Sequence, residues 1–140
     1  MKIHGSAVSR IVYVRAETGE DLLVALRQGV AEAGIKSGVF LSGAGSLASY
    51  HFHVVRTTNL PPGNTFIEGV GAFDILTVTG AIAAGQVHAH VTFSTPHVAM
   101  GGHLEEGCEV LTFALVAIAE TPGADLIGWD TFLPRESASQ

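Results

Sequence analysis

The stretch GCEVLTFALVAIAE, residues 107–120, contains the longest apolar run of the chain. This run is too short to span a bilayer as a helix, because a membrane-spanning helix needs about 20 apolar residues. Short apolar runs bounded by turn residues are typical of buried strands. We therefore predict a strand here, either at the centre of a sheet or at an interface between subunits.

The segments around this strand mostly alternate between strand and turn patterns. Strands are predicted over 48–58, 65–71, 73–83, 86–94 and 107–120, and 9–15 also alternates as a strand does. Residues 36–47 are predicted to be a strand that runs into a glycine-rich turn, 95–102 a turn into a short strand, and 126–132 a last strand or strand-like segment. They follow one another without the regular strand–helix alternation of a parallel sheet. The predicted fold class is α+β, a mainly antiparallel sheet of about seven strands with one main helix packed on it.

The one clear helical pattern is TGEDLLVALRQGVAEAG, residues 18–34. Thr18 followed by Asp21 resembles a capping box at the start of a helix. The apolar face consists of Leu22, Leu26, Val30 and Ala33. Gly29 in the middle of the helix costs about 1 kcal/mol relative to alanine. Its presence therefore indicates that another element packs closely against the helix at this point.

Length and composition predict one domain over 1–140, with a core of about 8–132 and a polar tail over 134–140. Hydrophobic residues make up 47% of the 140 residues and charged residues 14%, whereas average domains carry about 25% charged residues. So few charges leave apolar surface to be covered. The composition therefore favours a homo-oligomer.

The charge balance bears on nucleic-acid binding. The net charge is −6, and the seven Lys and Arg residues are scattered along the chain. Autonomous DNA binding depends on clustered basic residues, so we do not expect direct DNA binding.

The cysteine count and the amino-terminal sequence bear on the compartment. The single cysteine excludes an internal disulfide and favours a reducing, cytoplasmic setting. The first ten residues lack the apolar region of a signal peptide, and no segment predicts a membrane span.

Histidines are concentrated in QVHAHVTFS, residues 86–94, and shortly after it. His88 and His90 lie two residues apart, so in a strand both point to the same side. His103 follows two glycines and can return beside them in a hairpin. Three histidines with an open fourth position are typical of a catalytic-type zinc site. The alternative, two partly exposed strand histidines and one turn histidine, stays open at this stage.

The other histidines are less informative. His51 and His53 form a second pair of the same spacing, which can face the same pocket or lie on the outer side of the sheet. His97 follows a proline in a turn and is predicted to be solvated. His4 lies in the amino-terminal arm.

Three further residues near His103 can carry chemistry. Cys108 could be a thiolate ligand, although a buried apolar role at the start of a strand is favoured. Glu105 and Glu106 are adjacent and are expected to point in different directions. One of them could act as a general base or a fourth metal ligand, and either could pair with an arginine. The glycine-rich segment 42–47 lacks the motif of a phosphate-binding loop and is interpreted as a tight turn.

Four segments together resemble a known family: ETGEDLLVALRQGVAEAGIKSGVFLSGAGSL (17–47), FDILTVTGAIA (73–83), VHAHVTFS (87–94) and MGGHLEEGCEV (100–110). They resemble the PPC (plant and prokaryote conserved) domain over about residues 8–120. The resemblance implies an antiparallel sheet flanked by helices, a homotrimer for stand-alone prokaryotic members, and zinc at histidines that correspond to His88, His90 and His103.

The resemblance also brings a DNA-binding label, which the prokaryotic members carry by kinship alone. Plant members place the domain beside an AT-hook, a short basic segment that grips the minor groove. This chain has no Arg-Gly-Arg-Pro core of that kind and no basic extension at either end.

Three functions are compatible with the sequence. The first is a trimeric module with a three-histidine zinc pocket that binds an unidentified protein or small-molecule partner. The second is a DNA-associated regulator, and the third is a metal-dependent hydrolase with Glu105 or Glu106 as base.

Overall fold

The apolar stretch 107–120 forms an interior strand. A computed structural model describes residues 1–132, so the predicted tail 134–140 lies outside the described residues. In it, β6 (Val110–Glu120) is hydrogen-bonded along one edge to β1 (Arg10–Glu17) and along the other to β2 (Gly38–Val55). This position explains the apolar run, since both edges and one face of the strand are covered.

The remaining strands extend the sheet on the β2 side. They are β3 (Asn64–Ala83), β4 (Gln86–Ser94) and β5 (Ala99–Leu104), and the order across the sheet is β1-β6-β2-β3-β4-β5. All neighbours run antiparallel. With one helix, α1 (Leu22–Glu32), within residues 1–132, the predicted α+β class with a mainly antiparallel sheet is confirmed.

An additional pairing closes part of the sheet on itself. Strand β5 also pairs with the far end of β2, where Phe52 lies opposite Leu104 and His53 lies opposite His103. Strands β2 to β5 thereby form a ring. Four aromatic side chains pack together among these strands, with ring centroids 5.1–5.9 Å apart in the contacting pairs: Tyr50, Phe52, Phe73 and Phe93. Inward-facing residues therefore form the core of the ring, and their strand neighbours face outward.

The number of strands within 1–132 is six, not about seven, because predicted segments merge. The glycine-rich segment 42–47 is not a tight turn but lies inside β2, and 65–71 joins 73–83 in β3. Register shifts beside this segment let β2 bend without a turn. Gly45 permits a close crossing, since a Cβ there would lie 1.9 Å from the carbonyl oxygen of Phe113. The segment 126–132 forms turns instead of the predicted strand.

The helix begins later than the capping-box pattern predicts. Asp21 is the N-cap, and its side chain accepts a hydrogen bond of 3.0 Å from the backbone N–H of Val24. Thr18 instead donates its hydroxyl to the carbonyl of Thr112 on β6. The buried face of α1 consists of Leu22, Leu23, Leu26 and Val30. At 11 residues, this helix falls short of the length and apolar content that crossing a membrane requires.

The close approach predicted at Gly29 is present. A Cβ at Gly29 would lie 2.6 Å from Cγ2 of Val14 on β1.

We expect Gly29→Ala to destabilise the fold by about 1 kcal/mol, because overpacking of about 1–3 kcal/mol outweighs the gain in helix propensity. In a Val14→Ala background the same change should stabilise by about 1 kcal/mol. Urea denaturation at fixed protein concentration measures both, and equal effects in the two backgrounds would contradict the packing argument.

Candidate metal centre

The pleat of β4 separates core residues from histidines. Ala89, Val91 and Phe93 are buried. His88 and His90 alternate with them, and they point outward, half-buried and exposed respectively. The strand therefore places both histidines on one side, as their spacing predicts.

Strand β5 brings His103 beside them. His103 is the register partner of His90 on β4. The two preceding glycines allow this approach, because a Cβ at Gly101 would lie 2.1 Å from the carbonyl oxygen of Val91, and one at Gly102 would lie 2.6 Å from that of His53. Larger residues at these two positions would push β5 away from both of its neighbours.

The three imidazoles form a compact cluster. The ring centroid of His88 lies 5.7 Å from that of His90 and 4.7 Å from that of His103, and the His90–His103 separation is 5.5 Å. One ligand nitrogen from each ring lies within 4.8 Å of the others. The three histidines named from the sequence are thus brought together, although their role as metal ligands remains a prediction.

Two rings of the cluster, those of His103 and His90, have a lowered pKa. Burial first, and then the nearby imidazoles of His53 and His88, lower the pKa of His103 to about 4, while the carboxylate of Glu105 acts in the opposite direction. Although His90 is exposed at its edge, partial desolvation of its ring is the main cause that lowers its pKa, followed by the imidazoles of His88 and His53. Neutral imidazole is the form that binds a metal, so the environment prepares these rings as ligands.

The donor set fits zinc. Tetrahedral zinc with nitrogens at about 2.0–2.1 Å separates its ligand atoms by roughly 3.4 Å, and the ligand nitrogens of this cluster lie within 4.8 Å of one another. The three nitrogens would hold the metal and leave a fourth position open.

A second group adjoins the first and was not assigned from the sequence. His53, His103 and Glu105 also place their ligand atoms within 4.8 Å of one another. The ring of His53 stacks on that of His103 with centroids 4.3 Å apart, and its Nδ1 lies 2.6 Å from a carboxylate oxygen of Glu105. The repeated His-x-His spacing of residues 51–53 was the available signal, but it could not reveal the pairing of β2 with β5.

The two glutamates diverge, as their adjacency predicts. Glu106 forms an ion pair with Arg27 of the helix, and both side chains are more than half exposed. Its backbone carbonyl lies 2.6 Å from Nδ1 of His51. Glu106 is therefore engaged away from the histidine cluster, whereas Glu105 faces it.

Cys108 belongs to the core. Its side chain is fully buried, and burial is the main cause that raises the pKa of its thiol to about 11. A thiol that stays protonated at neutral pH is a poor metal ligand. The thiol donates to the carbonyl of His51 and accepts from the N–H of the same residue, so it fixes β2 in place.

The remaining histidines lie elsewhere. His97 is exposed in the bend between β4 and β5, as predicted. His4 in the amino-terminal arm contacts the carbonyl of Gly123 at 2.9 Å and the ring of Trp129. The same carboxy-terminal segment places Asp130 3.5 Å from Nδ1 of His88, which adds a carboxylate to the surroundings of the cluster.

Residues 4–122 match the Plants and Prokaryotes Conserved (PCC) domain. The chain belongs to this family. It is the family that the sequence resembles under the name PPC, and the match extends slightly beyond the predicted limits of about 8 and 120.

Solved structures of similar fold come from bacteria and archaea. A metal-containing protein from Archaeoglobus fulgidus has a TM-score of 0.79 at 22% identity, with 89% of both chains covered. A PPC protein from Pyrococcus horikoshii has a TM-score of 0.75 at 24% identity, covering 89% of this chain and 87% of that one. A "putative DNA binding protein" from Bacteroides thetaiotaomicron has a TM-score of 0.68 at 20% identity, covering 85% and 83%. These likenesses concern the fold.

One curated protein is also similar in sequence. It is the bifunctional protein GlmU of Synechococcus sp. (strain JA-2-3B'a(2-13)), with 27% identity over 114 residues. The matched region is 81% of this chain but spans only 17% of that protein.

The lowered pKa of His103 predicts an acid-sensitive fold in metal-free protein. Because the native state binds fewer protons than the unfolded state between about pH 4 and 6.5, stability should be full above this window and fall as the pH decreases through it. His103→Gln should flatten this dependence, as measured by urea denaturation in EDTA at several pH values. His97→Gln is the matched control and should keep the wild-type slope. Equal slopes in wild type and His103→Gln would contradict the assignment.

Proposed function

We propose that this PCC domain is an oligomeric module whose three-histidine pocket binds zinc and, at the open position, a small ligand or a group of a protein partner. The observation that carries the proposal is the convergence of His88, His90 and His103, with one ligand nitrogen from each within 4.8 Å of the others. The supporting backbone is rigid, because each histidine lies on a strand paired with its neighbours.

The chemistry of the site supports zinc over harder cations. Three neutral imidazoles suit zinc, copper, nickel or iron, whereas magnesium and calcium prefer oxygen ligands. The chain's own residues supply the nitrogens, exclude protons from His103 and His90, and leave one side accessible. When bound, zinc supplies a Lewis-acidic position at which a ligand atom can coordinate. The metal-containing relative from Archaeoglobus fulgidus, which shares the fold, supports a metal in this family.

The DNA-associated alternative receives little support from the surface. Three of the seven basic side chains pair with carboxylates of the same chain: Arg10 with Glu120, Arg15 with Glu17, and Arg27 with Glu106. A chain of net negative charge, three of whose five arginines are paired with its own carboxylates, is a poor match for a run of phosphates. The label of the Bacteroides neighbour therefore does not change the proposal.

The hydrolase alternative gains one observation. Of the two candidate bases, Glu106 is paired with Arg27, and Glu105 is paired with His53 beside the cluster. A carboxylate–imidazole pair next to a metal position is compatible with hydrolysis. A binding module requires only the metal position and is the simpler proposal.

We also propose that the module is a homotrimer. On the outer side of β6, Leu111, Phe113 and Leu115 are each about 40% exposed, whereas Val110, Ala114 and Val116 on the opposite side are buried. Tyr13 of β1 lies on the same face, because it is the register partner of Ala117. This apolar face (Tyr13, Leu111, Phe113 and Leu115) and the scarcity of charged residues support burial against further copies of the chain.

Zinc should stabilise the protein through the three histidines. At free zinc about 1,000-fold above Kd, the gain is about 4 kcal/mol, which corresponds to a thermal midpoint roughly 10 °C higher. His88→Ala should remove most of this gain, and His97→Ala should retain it. The measurement is thermal unfolding with zinc and with EDTA, together with metal content after dialysis. A wild-type protein that stays metal-free after zinc loading would refute the site.

Assembly can be tested separately from folding. Phe113→Asp places a charge on the apolar face, and because Phe113 is already 38% exposed in one chain, we expect loss of assembly with the fold retained. Sedimentation should change from about three times the 14.5 kDa chain mass to one. Val24→Asp, at an exposed position of the helix, is the matched control. A wild-type protein that sediments as a monomer would refute the trimer.

A further inference from the structure

We propose that His53, oriented by Glu105, is a ligand-contact residue of the pocket: it accepts a hydrogen bond from a small molecule coordinated at the open position. This inference rests on the metal site proposed above and names the class of ligand. The ligand would coordinate through one atom and carry an N–H or O–H donor next to that atom.

The closure of the ring places His53 at the cluster. His53 on β2 is the register partner of His103 on β5, and His103 is in turn the register partner of His90 on β4. Register partners share a face of the sheet, so His53 joins the outward-facing histidines. Its ring stacks on that of His103 at 4.3 Å with the planes 30° apart.

Glu105 fixes the direction of the His53 ring. Leu104 ends β5 with its side chain inward, where it is 1% exposed, and Glu105 follows directly after it. The carboxylate accepts a hydrogen bond from Nδ1 of His53 at 2.6 Å, and both side chains are largely shielded, with exposures of 18% for His53 and 27% for Glu105. A second contact anchors the segment, since the backbone N–H of Glu105 donates to the carbonyl of His51.

This arrangement leaves one nitrogen of His53 available. A carboxylate oxygen accepts hydrogen bonds, so the Nδ1 of His53 is the donor in this contact, and in that tautomer Nε2 is the acceptor. Nε2 has no hydrogen-bond partner among residues 1–132. Within these residues, the hydroxyl of Ser37 is the buried side-chain atom that lacks a partner, so the unpartnered Nε2 is in contact with solvent. An oriented acceptor stacked on a proposed metal ligand is therefore open to a bound molecule.

His51 provides the contrast that makes the inference specific. It lies two residues earlier on the same strand, and its Nδ1 also contacts an acceptor, the backbone carbonyl of Glu106. It too packs near Phe66, at 5.9 Å compared with 5.2 Å for His53. However, it belongs to neither potential metal group. His51 is thus a matched histidine of similar environment without the contact to His103.

The experiment uses full-length protein loaded with cobalt(II), whose visible absorption reports its ligands. Two probes are titrated: acetohydroxamate, which coordinates through oxygen and carries an N–H, and azide, which coordinates but has no hydrogen. His53→Phe retains a ring for the stack and removes the acceptor. It should weaken acetohydroxamate about threefold to tenfold, the range of one net hydrogen bond, and leave azide binding within about twofold of wild type. His51→Phe should leave both probes unchanged.

Several results would overturn the proposal in distinguishable ways. Unchanged acetohydroxamate affinity in His53→Phe would exclude the hydrogen bond, and equal losses for both probes would show that His53 acts only by supporting His103. Two cobalt ions per chain, with one lost in His53→Phe, would make His53 a metal ligand instead. Absence of cobalt binding in wild type would refute the metal site itself. Normal azide binding together with equal acetohydroxamate affinities in wild type and His53→Phe would refute this inference alone.

Glu105→Ala provides a second, independent variant. It keeps the nitrogen and the stack of His53 but removes the partner that fixes the ring direction. We expect a partial loss of acetohydroxamate affinity, smaller than in His53→Phe, with azide again unaffected. Wild-type affinity for acetohydroxamate in this variant would contradict the orienting role of Glu105.

Discussion

Strand β5 is hydrogen-bonded on both of its edges, to β4 on one side and to β2 on the other, and the proposed site depends on this double pairing. The two pairings meet at His103, which lies opposite His90 in one register and opposite His53 in the other. A six-residue strand is thus enough to close the ring and to gather imidazoles from three strands. The adjacent glycines make this possible, because any side chain there would collide with backbone carbonyls of the neighbouring strands.

The same closure explains the electrostatics of the cluster. After burial, the neighbouring imidazoles of His53 and His88 are the next causes that lower the pKa of His90 and His103, because like charges at ring separations of 4.3–5.7 Å repel. Burial acts in the same direction on His90 and His103. Unprotonated ring nitrogens can instead coordinate a divalent cation. Glu105 is the acidic side chain that is hydrogen-bonded to His53 beside them.

Local patterns predicted much of the fold and the convergence of the three histidines of the candidate site. The alternation in β4 placed His88 and His90 on one face, the glycines indicated the approach of His103, and the apolar run marked an interior strand. Glycine-rich segments were harder, since the same residues serve a turn or a close strand crossing. The position of His53 beside His103 could not be predicted, because it depends on a pairing between segments about 50 residues apart. The same long-range pairing keeps Glu105 near the cluster, whereas Glu106, one residue later, is held by the helix.

The strict alternation of β4 has an evolutionary consequence. Histidines and core residues occupy successive positions, so inserting or deleting one residue within the strand would exchange them and place imidazoles in the core. The site therefore cannot drift along the strand while the fold persists. Point substitution, in contrast, can erase the outward histidines and leave Ala89, Val91 and Phe93 untouched. Proteins of this fold can accordingly lose the pocket and keep the architecture. Sharing the fold therefore does not imply sharing the pocket.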